Sequence, residues 1–194
     1  MTALPEQTTC YRIGDPNGIY PIFDATGSTI YPGRWNEVGS PMVYASEHYS
    51  TAMLEKLVHG SGHLPPNQHF ISIAIPAGAT YEVFSEAHHP GWDAPDMDVA
   101  RAFGHAWQRS RRSAILFVPC VVARMEKNVL INLEHQDSGG IRRSLHTPVW
   151  WDNRLFPAAS PPAVAKRVPP VPKRAAAPPR PIKRAVPPPG TKKP

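Results

Sequence analysis

The chain has 194 residues and a formal net charge of +6, enough for one domain with a real core and too few for two of ordinary size. Residues 158–194 carry nine of the 21 Lys and Arg and no acid, so residues 1–157 hold 12 against 15 Asp and Glu, a net of −3, which argues against a basic nucleic-acid-binding body. Two cysteines do not make a disulfide framework, and the longest apolar run, "AILFVPCVVA", is broken by Pro119 and too short to span a bilayer.

In chain order, the opening "MTALPEQTTC" has neither a basic nor an apolar region of the kind a signal peptide needs, so a cytoplasmic protein is expected. The first strand falls at "CYRI", residues 10–13. A turn around Gly39 leads into a second at "PMVYA", 41–45. "SEHYSTAMLEKLVHG", 46–60, predicts a helix. Ser46 or Ser50 caps it, Gly60 ends it, and Tyr49, Ala52, Met53 and Leu57 recur at helical spacing. "FISIAIP", 70–76, is a strand closed by Pro76, and "TYEVFS", 80–85, is another. "DMDVARAFGHAWQRSRR", 96–112, predicts a second helix opened by an Asp cap, with Val99, Phe103, Ala106 and Trp107 on one face. "AILFVP" and "CVVARM" read as strands on either side of Pro119, and "NVLIN", 128–132, as the last strand. Strands outnumber helices and do not alternate with them, which predicts an α+β domain over residues 1–156. Beyond Phe156, residues 157–194 are rich in Pro, Lys, Arg and Ala and lack aromatic residues. They are expected to form a disordered, semi-extended arm, with weak attraction to acidic surfaces or nucleic acid.

Chemistry is concentrated between residues 31 and 59. Glu55 sits among Ala52, Met53, Leu54, Leu57 and Val58, where a carboxylate needs solvent, a partner or a ligand. His59, one turn on, is one such partner. Arg34 follows Gly33 in "PGRWN". Its planar donor fork suits a diphosphate or a carboxylate, and stacking on Trp35 is the alternative. Tyr44 ends the strand that leads into the Glu55 helix, as a core residue or as an aromatic wall. The reading preferred here has Arg34 and Glu55 facing one another across a cleft that holds a dinucleotide. His59, His63 and His69 cluster, but Gly60 and Gly62 break the helix that would present them, so no metal site is expected. Cys120 between two apolar runs is expected to be a buried, inert thiol, with a thiol nucleophile as the alternative. Neither GxxxxGK[ST] nor GxGxxG is present.

"CYRI", "GRWN", "VYAS", "LEKLVH", "ILFVPC" and "NVLIN", in this order and spacing, resemble the RES-domain family, from about Cys10 to about Trp151. The resemblance implies a bent α+β domain similar to ADP-ribosyltransferases, with an NAD cleft. It implies a toxin of a toxin–antitoxin pair that breaks NAD by phosphorolysis or hydrolysis, or transfers ADP-ribose to a protein. NAD is then a substrate, and no cofactor is called for. The implied partner is a helical antitoxin with an Xre-like DNA-binding part, through which higher oligomers can form. Carried over by position, Arg34 and Arg12 are expected at the diphosphate and ribose, within a ligand-binding "GRWN" that includes Trp35 and Asn36. Tyr44 is expected on the nicotinamide side, and Glu55 is the family's Glu. The family's Ser falls on Cys120, which the resemblance thereby implies as a catalytic and ligand-binding residue, although a thiol is a weaker hydrogen-bond donor. With that departure, a non-catalytic module that binds a nucleotide or an antitoxin is the competing expectation.

Overall fold

The protein is described by a computed structural model that covers residues 2–60, 63 and 66–156. Its elements are β1 (Thr2–Ala3), β2 (Thr8–Gly14), α1 (Thr26–Ile30), β3 (Val43–Ser46), α2 (Tyr49–His59), β4 (His69–Ile75), β5 (Thr80–Val83), α3 (Asp98–Ser110), β6 (Ile115–Pro119), β7 (Lys127–Ile131), β8 (Arg142–Arg143) and β9 (Thr147–Pro148). Among the described residues these strands form one sheet in the order β1-β5-β6-β7-β3-β2-β4-β8, with β9 also beside β4. The pairs are antiparallel except β5 with β6, which α3 connects as a crossover.

Side-chain period explains how the sheet is covered. In β4, Ile71, Ile73 and Ile75 are buried, while Phe70, Ser72 and Ala74 between them are only half-buried, as expected of a strand with one face on a core. β6 is buried at every position, because it runs through the middle of the sheet and both of its faces are covered. The sheet curls into a half-barrel. Cys10 of β2 and the β4 isoleucines thereby share a core with Val43, Ala45, Ile115 and Ile131. The opposite face of β3, β6 and β7 presents Tyr44, Leu116, Val118 and Leu130 to Trp35, Phe84, Trp92 and the Ala100 and Trp107 face of α3. The fold is α+β.

α3 lies directly on the "GRWN" loop. A Cβ at Gly104 would sit 2.0 Å from the Trp35 carbonyl oxygen, so only glycine permits this approach. Trp107, fully buried, donates its indole N–H to Ser113 Oγ at 2.8 Å, which satisfies its polar atom.

Several local expectations change. α2 starts at Tyr49 with His48 as N-cap and no side-chain cap bond; Ser46 instead ends β3 and turns its hydroxyl elsewhere. α3 has left-handed Met97 at its N-cap position, and Asp96 Oδ1 accepts from the Asp98 amide at 3.2 Å, so the Asp acts ahead of the helix. "CVVARM" is not a strand. Cys120 Sγ accepts from the Ala123 amide and Ala123 O from the Glu126 amide, which turns the chain sharply between β6 and β7. The arm expected at 157–194 lies outside the described residues.

Candidate active site

A cavity of about 660 Å³ opens beside α2 and the "GRWN" loop. Arg12 from β2, Arg34 from the loop, Tyr44 and Ser46 from β3, Glu55 and Lys56 from α2, and Asn128 from β7 all line it. Arg34 and Glu55 therefore border one space.

Glu55 is held from behind. Its Oε1 accepts from Asn128 Nδ2 at 2.7 Å and from the Cys120 thiol at 3.1 Å. Its side chain is 24% exposed, and His59 Nε2 is 3.9 Å from Oε2. The two shorter bonds, not His59, fix the carboxylate. Asn128 is itself fixed, because Ser46 Oγ donates to its Oδ1 at 2.7 Å.

The wall around Glu55 is cationic. Arg12 donates NH1 to Tyr44 O at 3.3 Å, and burial lowers its pKa while Asp24 and Tyr44 partly offset this. Burial also lowers the Lys56 pKa, and the Arg12 charge pushes it the same way. Arg34 NH1 donates to the carbonyls of Trp92 and Ala94 at 3.1 and 3.0 Å. One nitrogen thus braces the 92–94 segment. Among the described residues none of these three cations is paired with a carboxylate within 4.0 Å. Three cations and one carboxylate around a half-open space favour an anionic ligand.

Tyr44 contributes its ring to the cavity wall. Its hydroxyl donates to Asn36 Oδ1 at 2.7 Å and accepts from the Trp35 amide at 3.1 Å. Burial pushes the phenol pKa up, so it stays neutral. A Cβ at Gly33 would come within 2.8 Å of that hydroxyl, which explains the glycine ahead of Arg34.

The structure refines the sequence reading at Trp35 and places Asn36 and Cys120 outside the cavity lining. Trp35 borders the cavity but is only 3% exposed, with its ring stacked on Trp92 and edge-on to Phe84, so most of its ring is committed to the core. Arg34 does not stack on it; Trp92 carries Arg124 instead. Asn36 is fully buried. It accepts from the Gly33 amide and Tyr44, and donates to the carbonyls of Ser28, Glu37 and Ser40. Its hydrogen-bonding capacity is spent on the loop, so it shapes the site without reaching a ligand. Cys120 is fully buried behind Glu55 and does not line the cavity. Burial and the neighbouring carboxylate push its thiol up to about 11, which rules against the thiol-nucleophile alternative. Ser46, Lys56 and Asn128 were not singled out from sequence. For Ser46 and Asn128 the signal is a polar residue near the end of an apolar strand, each facing the other across the sheet; Lys56 has no signal beyond its place next to Glu55 on α2.

Fold and cavity together define a class: a bent α+β domain with a fixed carboxylate among cations. Residues 9–152 match the RES domain, and the chain belongs to that family. It is 41% identical over 156 residues to the Prs ADP-ribosylating toxin of Sphingobium sp. (strain YBL2), covering 77% of this chain and 97% of that protein. It is 31% identical over 124 residues to Toxin Res of Photorhabdus laumondii subsp. laumondii, covering 63% and 80%. The crystal structure of the M. tuberculosis MbcT–MbcA toxin–antitoxin complex contains a chain of similar fold, with a TM-score of 0.60 at 15% identity, covering 76% of this chain and 86% of that one. Among the described residues no helix is long and apolar enough to cross a membrane.

Proposed function

We propose that this protein cleaves the nicotinamide–ribose bond of NAD and passes the ADP-ribose to an acceptor. The supporting observation is Glu55, held on Oε1 by Asn128 and Cys120 in a cavity whose other charges are Arg12, Arg34 and Lys56. The cations attract the diphosphate. The Tyr44 ring forms an aromatic wall for the cationic nicotinamide. As the C1′–N bond breaks, its electron pair goes to the pyridinium nitrogen and nicotinamide leaves neutral. Positive charge then develops on the ribose, as in glycoside cleavage, and Glu55 lies beside it. The acceptor oxygen or nitrogen bonds C1′ and loses its proton.

The name of the 41%-identical relative favours a protein side chain as acceptor, ahead of water or phosphate. An antitoxin partner belongs to the same proposal. Tyr31 and Val58, 78% and 58% exposed, stand on the cavity wall, where a partner that seals the cavity would cover them. A helical partner of Xre type, and any larger assembly built through it, are the forms expected.

The full chain incubated with NAD, with and without phosphate and with candidate protein acceptors, tests the proposal through its products. Free nicotinamide is expected in each case. ADP-ribose, ADP-ribose 1″-phosphate or a modified protein identifies the acceptor. Binding of NAD without nicotinamide release would favour the non-catalytic module.

A further inference from the structure

Glu55 has two carboxylate oxygens in different situations. Oε1 accepts from both Asn128 Nδ2 and Cys120 Sγ. Among the described residues, Oε2 has only His59, at 3.9 Å. The Asn128 amide has a fixed sense. Its oxygen takes the Ser46 hydroxyl proton at 2.7 Å, and its nitrogen must face the carboxylate, since two acceptor oxygens at that spacing repel. Ser46 and Asn128 are directly opposed in the β3–β7 register, and β6 flanks Asn128 on the other side. Ser46 is buried, so the chain starts on a rigid part of the sheet and ends at the cavity.

We propose that Asn128, locked by Ser46, is a positioning residue that ties up Oε1 of Glu55 and leaves Oε2 as the oxygen that meets the substrate. The inference rests on the NAD reading and deepens it. α2 alone does not fix Glu55, because its buried residues are Thr51 and Ala52, with Leu54 and Val58 exposed. The sheet supplies the missing constraint through this two-bond chain. The other titratable and charged groups near Glu55 are His59, the Cys120 thiol, and Lys56 and Arg12 on the same cavity wall.

Three variants in the full chain test it. Asn128→Leu removes the donor at similar size and lowers kcat on the order of 10–100-fold, the effect expected for a hydrogen bond to a charged group, with KM for NAD little changed. Ser46→Ala lowers kcat less, and adds little in the Asn128→Leu background, because the two residues act as one chain. Asn128→Asp keeps the shape and the Ser46 bond but sets a second carboxyl against Glu55. It shifts the acid limb of the kcat–pH profile upward by about one unit or more. That shift reports how close residue 128 stands to Glu55; the positioning role is read from the fall in kcat at constant KM and from the non-additivity with Ser46→Ala. Independent, additive losses for Ser46→Ala and Asn128→Leu, or an unmoved profile in Asn128→Asp, overturn the inference. Should the parent chain not cleave NAD, the functional reading fails by itself. The inference is then decided by NMR of the Asn128 side-chain amide, where a downfield Nδ2 proton that moves upfield in both Glu55→Gln and Ser46→Ala supports it and unmoved resonances reject it.

Discussion

Cys120 stands where the family resemblance places a serine, and its surroundings show what that exchange changes. The side chain donates to Glu55 Oε1 at 3.1 Å, and a hydroxyl donates better than a thiol. Cys120→Ser is therefore expected to keep NAD turnover at or above the parent level, measured as initial rates; a tenfold loss would point back to thiol chemistry. The thiol also makes a pH prediction. Its folded-state pKa is raised to about 11, above the ordinary thiol value of about 8.5. The folded state holds this proton more tightly than the unfolded one. The corresponding stability is complete below the ordinary thiol range and is lost as pH rises toward 11. Cys10, pushed up to about 12 by burial, works in the same direction. Urea unfolding between pH 8 and pH 11 should therefore show a shallower alkaline decline in Cys120→Ser than in the parent. At this scale the sequence disclosed Glu55, because a carboxylate among apolar neighbours is conspicuous. It did not disclose Asn128 or Ser46, since their meaning lies in a cross-strand register that spans 82 positions. Asn36 was misread for the opposite reason: it adjoins Arg34 in sequence, but its side chain turns into the loop and away from the cavity.

Among the elements, α3 and the "GRWN" loop interlock closely at Gly104. Gly104→Ala would place a methyl group against the Trp35 backbone, where no flexible side-chain end can yield. It is expected to destabilise the fold by about 3 kcal/mol, near the upper end for overpacking, read as a lowered urea midpoint. A midpoint unchanged from the parent would mean that α3 sits farther from the loop than described. Gly33→Ala is milder for the fold. It displaces the Tyr44 hydroxyl from Asn36, so activity should fall more than stability does. The strands were legible wherever apolar runs had clear period or length, as in β4 and β7. "CVVARM" misled because β-branched residues imitate a strand, whereas its backbone amides bond back within the turn and its exit is set by the start of β7. The helix caps were illegible because Ser46 is claimed by Asn128 across the sheet, a tertiary bond that overrides local capping preference.

For the molecule as a whole, charge is arranged against its own average. Residues 1–157 carry a net −3, yet among the described residues the cavity holds Arg12, Arg34 and Lys56 against Glu55 alone. Attraction for an anionic substrate is therefore local and sensitive to screening. KM for NAD is expected to rise several-fold from low to high ionic strength, with kcat nearly constant, in steady-state kinetics across a salt series. Sheet order and curl were not readable from composition or periodicity, because both arise from long-range pairings such as β2 with β4 and β3 with β7. The α+β class was readable, since it needs only the count and order of elements.

The most direct test compares nicotinamide release from NAD by the full chain and by Glu55→Gln, at matched melting temperature. Release by the parent, with a loss of about 100-fold or more in the variant, is the predicted result. Intact NAD in the presence of folded parent protein, or an equal rate in Glu55→Gln, would contradict the account.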